Sequence, residues 1–180
     1  MARLRSFPPL CRQDAAVLIL GSMPGSASLA AQQYYAHPRN AFWPIMSGLF
    51  GLDAGGPYEQ RCALLLDRRV AVWDVLEHCM RPGSLDASID PTSIVANDFR
   101  TFFRRHSDIK TVFFNGAAAE RLFERQVLAT LQGTSAAGLP RIRLPSTSPA
   151  HAAMSLQQKQ ERWEVVRERI TEIRSTRDAR

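Results

Sequence analysis

Lysine, cysteine and long apolar runs are scarce in this sequence, and each shortage excludes a class of function. Only Lys110 and Lys159 carry a side-chain amine, which leaves few candidates for covalent catalysis through a Schiff base. The three cysteines, Cys11, Cys62 and Cys79, cannot all pair with one another and lack the CxxC spacing of a zinc or iron–sulfur site. We therefore expect reduced thiols, no metal and no other cofactor.

No uninterrupted apolar stretch approaches the ~18 residues of a membrane helix. The first nine residues hold two arginines and two prolines but no apolar segment like that of a secretory signal. We therefore expect a cytoplasmic protein without membrane contacts. A chain of 180 residues, 45% hydrophobic and 22% charged, has the composition of one globular domain. We predict a monomeric single domain over residues 1–180, with a core at about 14–173 and a frayed basic tail at 174–180.

The charge balance is basic, and arginine supplies nearly all of the positive charge. Lysine and arginine together number 23 against 17 acidic residues, which gives a formal net charge of +6. The planar guanidinium matches phosphate oxygens bidentately, so this bias suits a nucleic-acid surface. A basic protein without a nucleic-acid partner would have the same composition, and charge alone does not separate the two interpretations.

Four short apolar runs have the length of strands, and amphipathic stretches follow most of them. The runs are residues 16–20, 70–73, 111–114 and 141–144, and the helical stretches are residues 42–50, 98–106, 117–131 and 156–173. Because the first and third runs are continuously apolar, they are typical of buried strands in a parallel sheet. We predict an α/β fold, a three-layer α/β/α sandwich around a four-stranded parallel sheet. Ligands of such folds bind at the carboxyl ends of the strands.

Two segments near the first strand carry residues suited to binding. The loop after that strand has Gly21, Pro24 and Gly25, which predict a tight turn that presents backbone amides. It is neither a Walker A loop nor a GxGxxG motif. Residues 33–43 gather aromatic and cationic side chains around Asn40, as a base and a phosphate would require. Asn40 also precedes a predicted helix, so capping of that helix is its alternative role.

These segments resemble the motifs of the uracil-DNA glycosylase superfamily. The mismatch-specific uracil/thymine-DNA glycosylases have Gly-Ile-Asn-Pro-Gly followed by His-Pro-x-Asn-x-Phe-Trp, and this chain has GSMPGSAS followed by YYAHPRNAFW. The strand ends at 113–116 and 144–150 match the later motifs in order and spacing, so the resemblance covers about residues 16–170. With Ser-Met in place of Ile-Asn, the chain is most similar to the hypoxanthine-DNA (deoxyinosine) glycosylase branch.

One departure from the mismatch-specific enzymes shifts the predicted catalytic residue. The Asn that handles the catalytic water in those relatives is replaced here by Met23, whose thioether cannot orient water. In the hypoxanthine branch, this task is assigned to the Asn of the His-Pro-x-Asn segment, which is Asn40 here. The resemblance therefore implies that Asn40 is the catalytic residue.

The resemblance also implies a pocket for a flipped base and a loop that contacts DNA. The predicted pocket residues are Ser22, Met23, Pro24, Gly25, Tyr35, His37, Phe42 and Asn115. The predicted DNA contacts are Arg39, Ser146, Ser148, Pro149 and His151, with the two serines on phosphates and His151 also supporting the leaving base.

Three further assignments leave alternatives open. Asn115 has an amide that can read the edge of a base, but it could instead cap the following helix. Asp74 is interpreted as a carboxylate that caps a helix or braces a loop, rather than as a base. Arg81, Gly83 and Ser84 form a loop that we place near the pocket.

The resulting prediction is a monofunctional DNA glycosylase that flips out and hydrolyses a deaminated base, hypoxanthine first and uracil second. Its partner is DNA that contains such a base, and the product is an abasic site for base excision repair. Two other classes stay open, a non-catalytic DNA-binding module of the same fold and a hydrolase of free nucleosides or nucleotides. The replacement at Met23 favours the first of these, and the basic charge opposes the second.

Overall fold

The computed structural model describes residues 3–179 of the chain. The strands are β1 (Arg3–Arg5), β2 (Val17–Gly21), β3 (Val70–Asp74), β4 (Leu76–Met80), β5 (Val95–Ala96), β6 (Thr111–Asn115) and β7 (Arg141–Leu144). The helices are α1 (Ser26–Ala31), α2 (Phe42–Phe50), α3 (Tyr58–Asp67), α4 (Phe99–Arg105), α5 (Ala117–Gln126) and α6 (Leu156–Asp178). Short 3-10 turns span Asp86–Ser88, Pro91–Ser93, Leu128–Leu131 and Ser135–Gly138.

The central sheet has four parallel strands in the order β3-β2-β6-β7. All five residues of β2 are buried, as its continuous apolar sequence predicts for a strand with neighbours on both sides and layers on both faces. The parallel register pairs Gly21 with Asp74 and Asn115 with Leu144. The four predicted strands are confirmed, and their carboxyl ends share one edge.

Helices cover both faces of this sheet, so the predicted three-layer α/β/α fold is confirmed. On one face, alternate strand residues such as Ile19 and Phe113 pack with α2, α3 and α6. On the other face, residues such as Leu20 and Phe114 pack with α4 and α5. Trp163 of α6 is fully buried in the core. Among residues 3–179, no helix is long and apolar enough to span a membrane.

A second, antiparallel sheet was not anticipated from the sequence. It has the order β1-β4-β5 and pairs Arg3–Arg5 with residues 78–80. In this part of the chain the sequence predicts only the loop around Arg81, Gly83 and Ser84. Because β4 reads LEHCM, its mixture of polar and apolar residues gives no clear strand signal.

Two helix ends differ from the predicted positions. The helix predicted over 117–131 ends at Gln126, and a 3-10 turn continues from Leu128 to Leu131. The frayed tail predicted at 174–180 is wrong for residues 174–178, which extend α6 to Asp178. Residues 174–178 contain neither glycine nor proline, so nothing in them terminates the helix. Arg180 lies outside the described residues.

Candidate active site

A cavity of about 150 Å³ lies at the carboxyl edge of the parallel sheet. A cavity of this size can hold one aromatic ring compound and is smaller than the usual site for a drug-sized ligand. Eleven predicted site residues line it: Ser22, Met23, Pro24, Gly25, Tyr35, His37, Asn40, Asn115, Ser146, Ser148 and Pro149. Ser84, which was predicted to lie near the pocket, also lines it, and so do Asp74, Asp86 and Thr147, which were not assigned to the pocket.

The loop after β2 is held in place by the segment after β4. The buried guanidinium of Arg81 donates from Nη2 to the Pro24 carbonyl at 2.5 Å and from Nε to the Gly83 carbonyl at 3.1 Å. The Ser84 hydroxyl oxygen accepts a hydrogen bond from the Ser26 amide at 2.9 Å. These bonds confirm that the segment 81–84 lies near the pocket. They fix the wall formed by residues 22–26 before any ligand binds.

Asp86 has two polar partners beside the same loop. Its Oδ1 accepts a hydrogen bond from the Ser22 hydroxyl at 2.8 Å and lies 3.6 Å from Nη1 of Arg81. Burial raises the pKa of Asp86, while Ser22, Arg81 and Arg121 act in the opposite direction. Asp86 therefore braces the cavity wall, the role that the sequence analysis had given to Asp74.

Asp74 has no such brace, so its interpretation as a capping or bracing carboxylate is wrong. Its Oδ2 is buried and has no hydrogen-bond partner within the part of the chain that the structure describes. Burial, and secondly the charge of Asp86, raise the pKa of Asp74 to about 7, although Arg81 opposes the shift. Asp74 directly follows a buried apolar run, as Asn115 does. The pattern that identified Asn115 could therefore have identified Asp74.

Gly21 makes room for the Asp74 carboxyl group. A Cβ on Gly21 would lie 2.5 Å from Oδ1 of Asp74 and 3.3 Å from the hydroxyl oxygen of Tyr35. Any side chain at this position would therefore displace the carboxyl group. The glycine at the end of β2 allows the carboxyl and the phenol to converge at the cavity.

Tyr35 forms an aromatic wall of the cavity in an unusual backbone conformation. Its φ of 55° lies in the left-handed region, which costs a non-glycine residue about 1 kcal/mol or more. Its ring stacks on Phe42 at a centroid distance of 4.0 Å and an interplanar angle of 20°. Its buried hydroxyl makes no well-aligned hydrogen bond among residues 3–179, and the amide of Asn115 is a polar group beside it. A strained residue whose ring lines a cavity is typical of a binding site.

Asn40 and His37 present donors to the same cavity. Oδ1 of Asn40 accepts a hydrogen bond from the Phe42 amide at 2.9 Å, which leaves the Nδ2 group as its available donor. The structure thus confirms a local bond between Asn40 and the start of α2, although the N-cap residue itself is Ala41. Nδ1 of His37 accepts from the Arg39 amide at 3.1 Å, so the proton of a neutral ring lies on Nε2.

Asn115 connects the end of β6 to the loop after β7. Its Oδ1 accepts from the Thr147 amide at 2.8 Å, and its Nδ2 donates to the Thr147 hydroxyl at 2.8 Å. Gly116 is the N-cap residue of α5, so the alternative in which Asn115 caps that helix is wrong. Each end of the Asn115 amide keeps one further hydrogen-bonding position for a ligand.

The loop over residues 146–149 is anchored on three sides. The Thr147 carbonyl accepts from the Ala41 amide at 2.9 Å, next to Asn40. Trp163 of α6 donates from Nε1 to the Pro145 carbonyl at 3.0 Å. Gly116 has φ of 94°, and a Cβ there would lie 2.8 Å from Cβ of Ser146. The loop therefore lies against the ends of β6, α2 and α6.

Two serines of this loop keep their hydroxyl hydrogens available. The Ser146 oxygen accepts from the Ser148 amide at 3.2 Å, and the Ser148 oxygen accepts from the Ala150 amide at 3.2 Å. Since a hydroxyl can accept and donate at once, both groups can still donate to an anionic ligand such as a phosphate.

Three predicted site residues lie outside the cavity. Phe42 is fully buried behind Tyr35, so its prediction as a pocket residue is wrong and its role is to support the Tyr35 ring. Arg39 is exposed, as its predicted contact with the DNA backbone requires. His151 lines a neighbouring surface depression with Arg143 and Arg162, which contradicts its predicted contact with the leaving base.

Comparison with known proteins relates this chain to DNA glycosylases. The family model of the uracil DNA glycosylase superfamily matches residues 8–168. The chain is 33% identical over 163 residues to a hypoxanthine DNA glycosylase of Methanosarcina acetivorans, which covers 90% of this chain and 96% of that protein. A hypoxanthine DNA glycosylase of Methanosarcina barkeri is 34% identical over 113 residues, or 62% of this chain and 70% of that protein. The solution NMR structure of a candidate uracil DNA glycosylase from Methanosarcina acetivorans has a TM-score of 0.77 and 31% identity, covering 94% of this chain and 99% of that one.

Replacing Asn115 tests the connection to Thr147. Asn115→Ala leaves the Thr147 amide without its partner, and we expect a loss of about 1–3 kcal/mol in the free energy of unfolding. Asn115→Asp keeps an acceptor for that amide, and the Thr147 hydroxyl can turn to donate to the new carboxylate, so the loss should be smaller. Urea unfolding followed by circular dichroism measures both. Equal stability of the alanine variant and the parent protein would contradict the connection.

Asp74 should make folding stability depend on pH. Because its folded-state pKa is raised from 3.8 to about 7, the folded state binds the proton more tightly, and its stability falls as pH rises through that window. Asp74→Asn should remove this loss and raise the free energy of unfolding at pH 8 by roughly 4 kcal/mol at most. At pH 4 the gain in the free energy of unfolding should be small, because Asp74 is protonated in the folded parent protein.

Urea unfolding of both proteins at pH 4 and pH 8 measures the effect. The pKa of Asp86 is also raised by burial, so the stability of the Asp74→Asn variant should keep some dependence on pH. A variant that is less stable than the parent at pH 8 would contradict the raised pKa.

Proposed function

The chain belongs to the uracil DNA glycosylase superfamily, and we propose that it is a monofunctional DNA glycosylase that removes hypoxanthine, and secondly uracil, from DNA. The observation that carries this proposal is the cavity of about 150 Å³ at the carboxyl edge of the sheet. It has the size for one flipped base, an aromatic wall at Tyr35, and amide and hydroxyl groups around it. The product is an abasic site in the DNA strand.

The order of substrates rests on Met23 and on the relatives. Met23 lines the cavity where the mismatch-specific glycosylases have an asparagine that handles water, and its thioether cannot take over that task. Two relatives, 33% and 34% identical, are hypoxanthine DNA glycosylases. A mispaired hypoxanthine also unstacks at lower cost than a paired base, which favours its entry into the cavity.

Asn40 is the proposed catalytic residue. Its Oδ1 is held by the Phe42 amide, so the amide plane is oriented and Nδ2 can position the water that attacks the sugar. The first turn of α2 lies beside it, and the positive end of the helix dipole favours a polarised water or a phosphate nearby.

Asn115 and His37 are proposed to stabilise the leaving base. Both line the cavity, Asn115 with one amide hydrogen beyond its bond to Thr147 and His37 with the Nε2 hydrogen. As the glycosidic bond breaks, negative charge develops on the base, and preoriented donors lower the energy of that state. The hypoxanthine ring carries oxygen and nitrogen acceptors for such donors.

Neither lysine is placed for a lyase reaction. Nζ of Lys110 donates to the Ser107 carbonyl at 2.8 Å, and Nζ of Lys159 donates to the His151 carbonyl at 2.8 Å. Neither residue lines the cavity. These positions support a hydrolase that uses water, rather than an enzyme that forms a Schiff base with the sugar.

DNA is proposed to bind across the cavity mouth. Ser146, Ser148 and Pro149 form one rim with two hydroxyl donors, and Arg39 is exposed near Asn40. His151 lies beyond this rim, in the depression that it shares with Arg143 and Arg162. Cationic and hydroxyl groups in this arrangement suit contacts to successive phosphates.

A panel of lesion oligonucleotides tests the substrate. We expect single-turnover excision to be fastest for hypoxanthine in duplex DNA, slower for uracil, and absent for free deoxyinosine. Binding should weaken steeply with salt because phosphate contacts release counterions. DNA binding without any excision would indicate a non-catalytic module. Hydrolysis of free deoxyinosine with a flat salt dependence would indicate a nucleoside hydrolase.

Two variants at Asn40 separate catalysis from local structure. Asn40→Asp keeps an acceptor for the Phe42 amide and should hardly change stability, but it loses the Nδ2 donor. Asn40→Ala loses both and should cost about 1 kcal/mol of stability. We expect both to lower single-turnover excision of hypoxanthine by ~10² or more. Rapid excision by a folded alanine variant would remove Asn40 from the mechanism.

A further inference from the structure

We propose that Asp74 is a second catalytic residue, whose carboxylate accepts the proton of the water that attacks the sugar. The inference rests on the proposed glycosylase function and assigns the proton acceptor of that reaction. It follows from the position of the carboxyl group, from its missing partner and from the uncharged amide of Asn40, which is not a base.

The backbone around Asp74 is fixed on several sides. Asp74 pairs with Gly21 in the parallel register, and the Val75 amide donates to the Gly21 carbonyl at 2.8 Å. Nδ2 of Asn97 donates to the Asp74 carbonyl at 2.8 Å. With no Cβ on Gly21, the carboxyl group passes over the end of β2 and lines the cavity. Asp74 is therefore a rigidly placed group, 3% exposed, that lines the cavity.

The two carboxylates that line the cavity differ in their partners. Asp86 accepts a hydrogen bond from Ser22 and lies beside Arg81. In contrast, Oδ2 of Asp74 is buried without a partner among residues 3–179, and its carboxyl group adjoins Gly21 at the cavity. A buried carboxyl group requires a partner, and a water molecule or a polar group of the substrate in the cavity can supply it.

Asn40 cannot accept the proton. Its Oδ1 is bonded to the Phe42 amide, and an uncharged amide is not a base at neutral pH. Its Nδ2 donor can orient water through the water oxygen. A donor from Asn40 and an acceptor from Asp74 together supply both interactions that an attacking water needs.

The charges around Asp74 suit this task. The groups that face it are Asp86, Arg81, Tyr34 and Tyr35. Burial and Asp86 raise the pKa of Asp74 to about 7, against the effect of Arg81. A general base acts best when its pKa lies near the working pH, and an ionised carboxylate also stabilises the cationic character of the sugar.

In the proposed step, the C1′–N bond breaks and its electron pair leaves with the base. The water oxygen forms the new bond to C1′, and one water proton passes to the Asp74 carboxylate. The departing base takes up a proton through the pocket donors or from solvent. Asp74 then releases its proton to solvent, so atoms and charge balance without a co-reactant.

The test is the pH dependence of single-turnover excision on a hypoxanthine duplex, from pH 5 to pH 9. In the parent protein the rate should rise with pH and level off near pH 7. Asp74→Asn should be slower by ~10² or more above pH 7, with no such rise. Asp86→Asn is the matched control: it should keep the rise and move it to lower pH, because the negative neighbour that raises the pKa of Asp74 is gone.

Chemical rescue separates catalysis from structure. Asp74→Ala leaves space beside Gly21. Formate should raise the excision rate of this variant at least ~10-fold by acting as the missing carboxylate. Asn40→Ala in the same buffer should not respond. Formate without effect, or an unchanged pH profile in Asp74→Asn, would overturn the assignment of Asp74 while the glycosylase function stands. A parent protein inactive on every lesion duplex would overturn both.

Discussion

The parallel register of β2 with its two neighbours determines where the site residues lie. It places Gly21 beside Asp74 and aligns the end of β6 with that of β2. All three strand ends consequently open on the same edge, where their loops enclose the cavity. The helical layers cover the faces of the sheet and leave that edge free. Polar side chains from loops that are distant along the chain therefore meet at one cavity, outside the packed core.

The polar groups of the site divide into two kinds. Arg81 and Asn115 bond to other parts of the protein, and through them the loops at 22–26 and 146–149 are fixed before a ligand arrives. Asp74 is buried with a carboxylate oxygen that lacks such a partner. An unpaired buried group lowers stability, and this cost is usual where a substrate supplies the partner. The fixed walls hold the unpaired carboxylate in one position. A site preorganised in this way can position a water molecule or a base.

Most of the fold and many of the residues that line the cavity were predictable, and the misses have physical causes. Continuous apolar runs identified the four central strands, but β4 mixes polar and apolar residues and went unseen. Phe42 was assigned to the pocket as part of an aromatic segment on which a base could stack, yet as N1 of α2 it points into the core. His151 was placed at the leaving base for its position in the loop, whereas it faces a separate depression.

The sequence by itself determined the four buried strands, the glycine- and proline-rich loops after them and the basic charge, because each of these is a local or compositional property. Only the tertiary structure decided which polar side chains are satisfied. Asn115 finds Thr147 across 32 residues of sequence, and Arg81 finds Pro24 across 57. Such partners depend on strand order and register, which no local pattern encodes. The same dependence left Asp74 unpaired at the cavity, a property that its neighbours along the chain do not reveal.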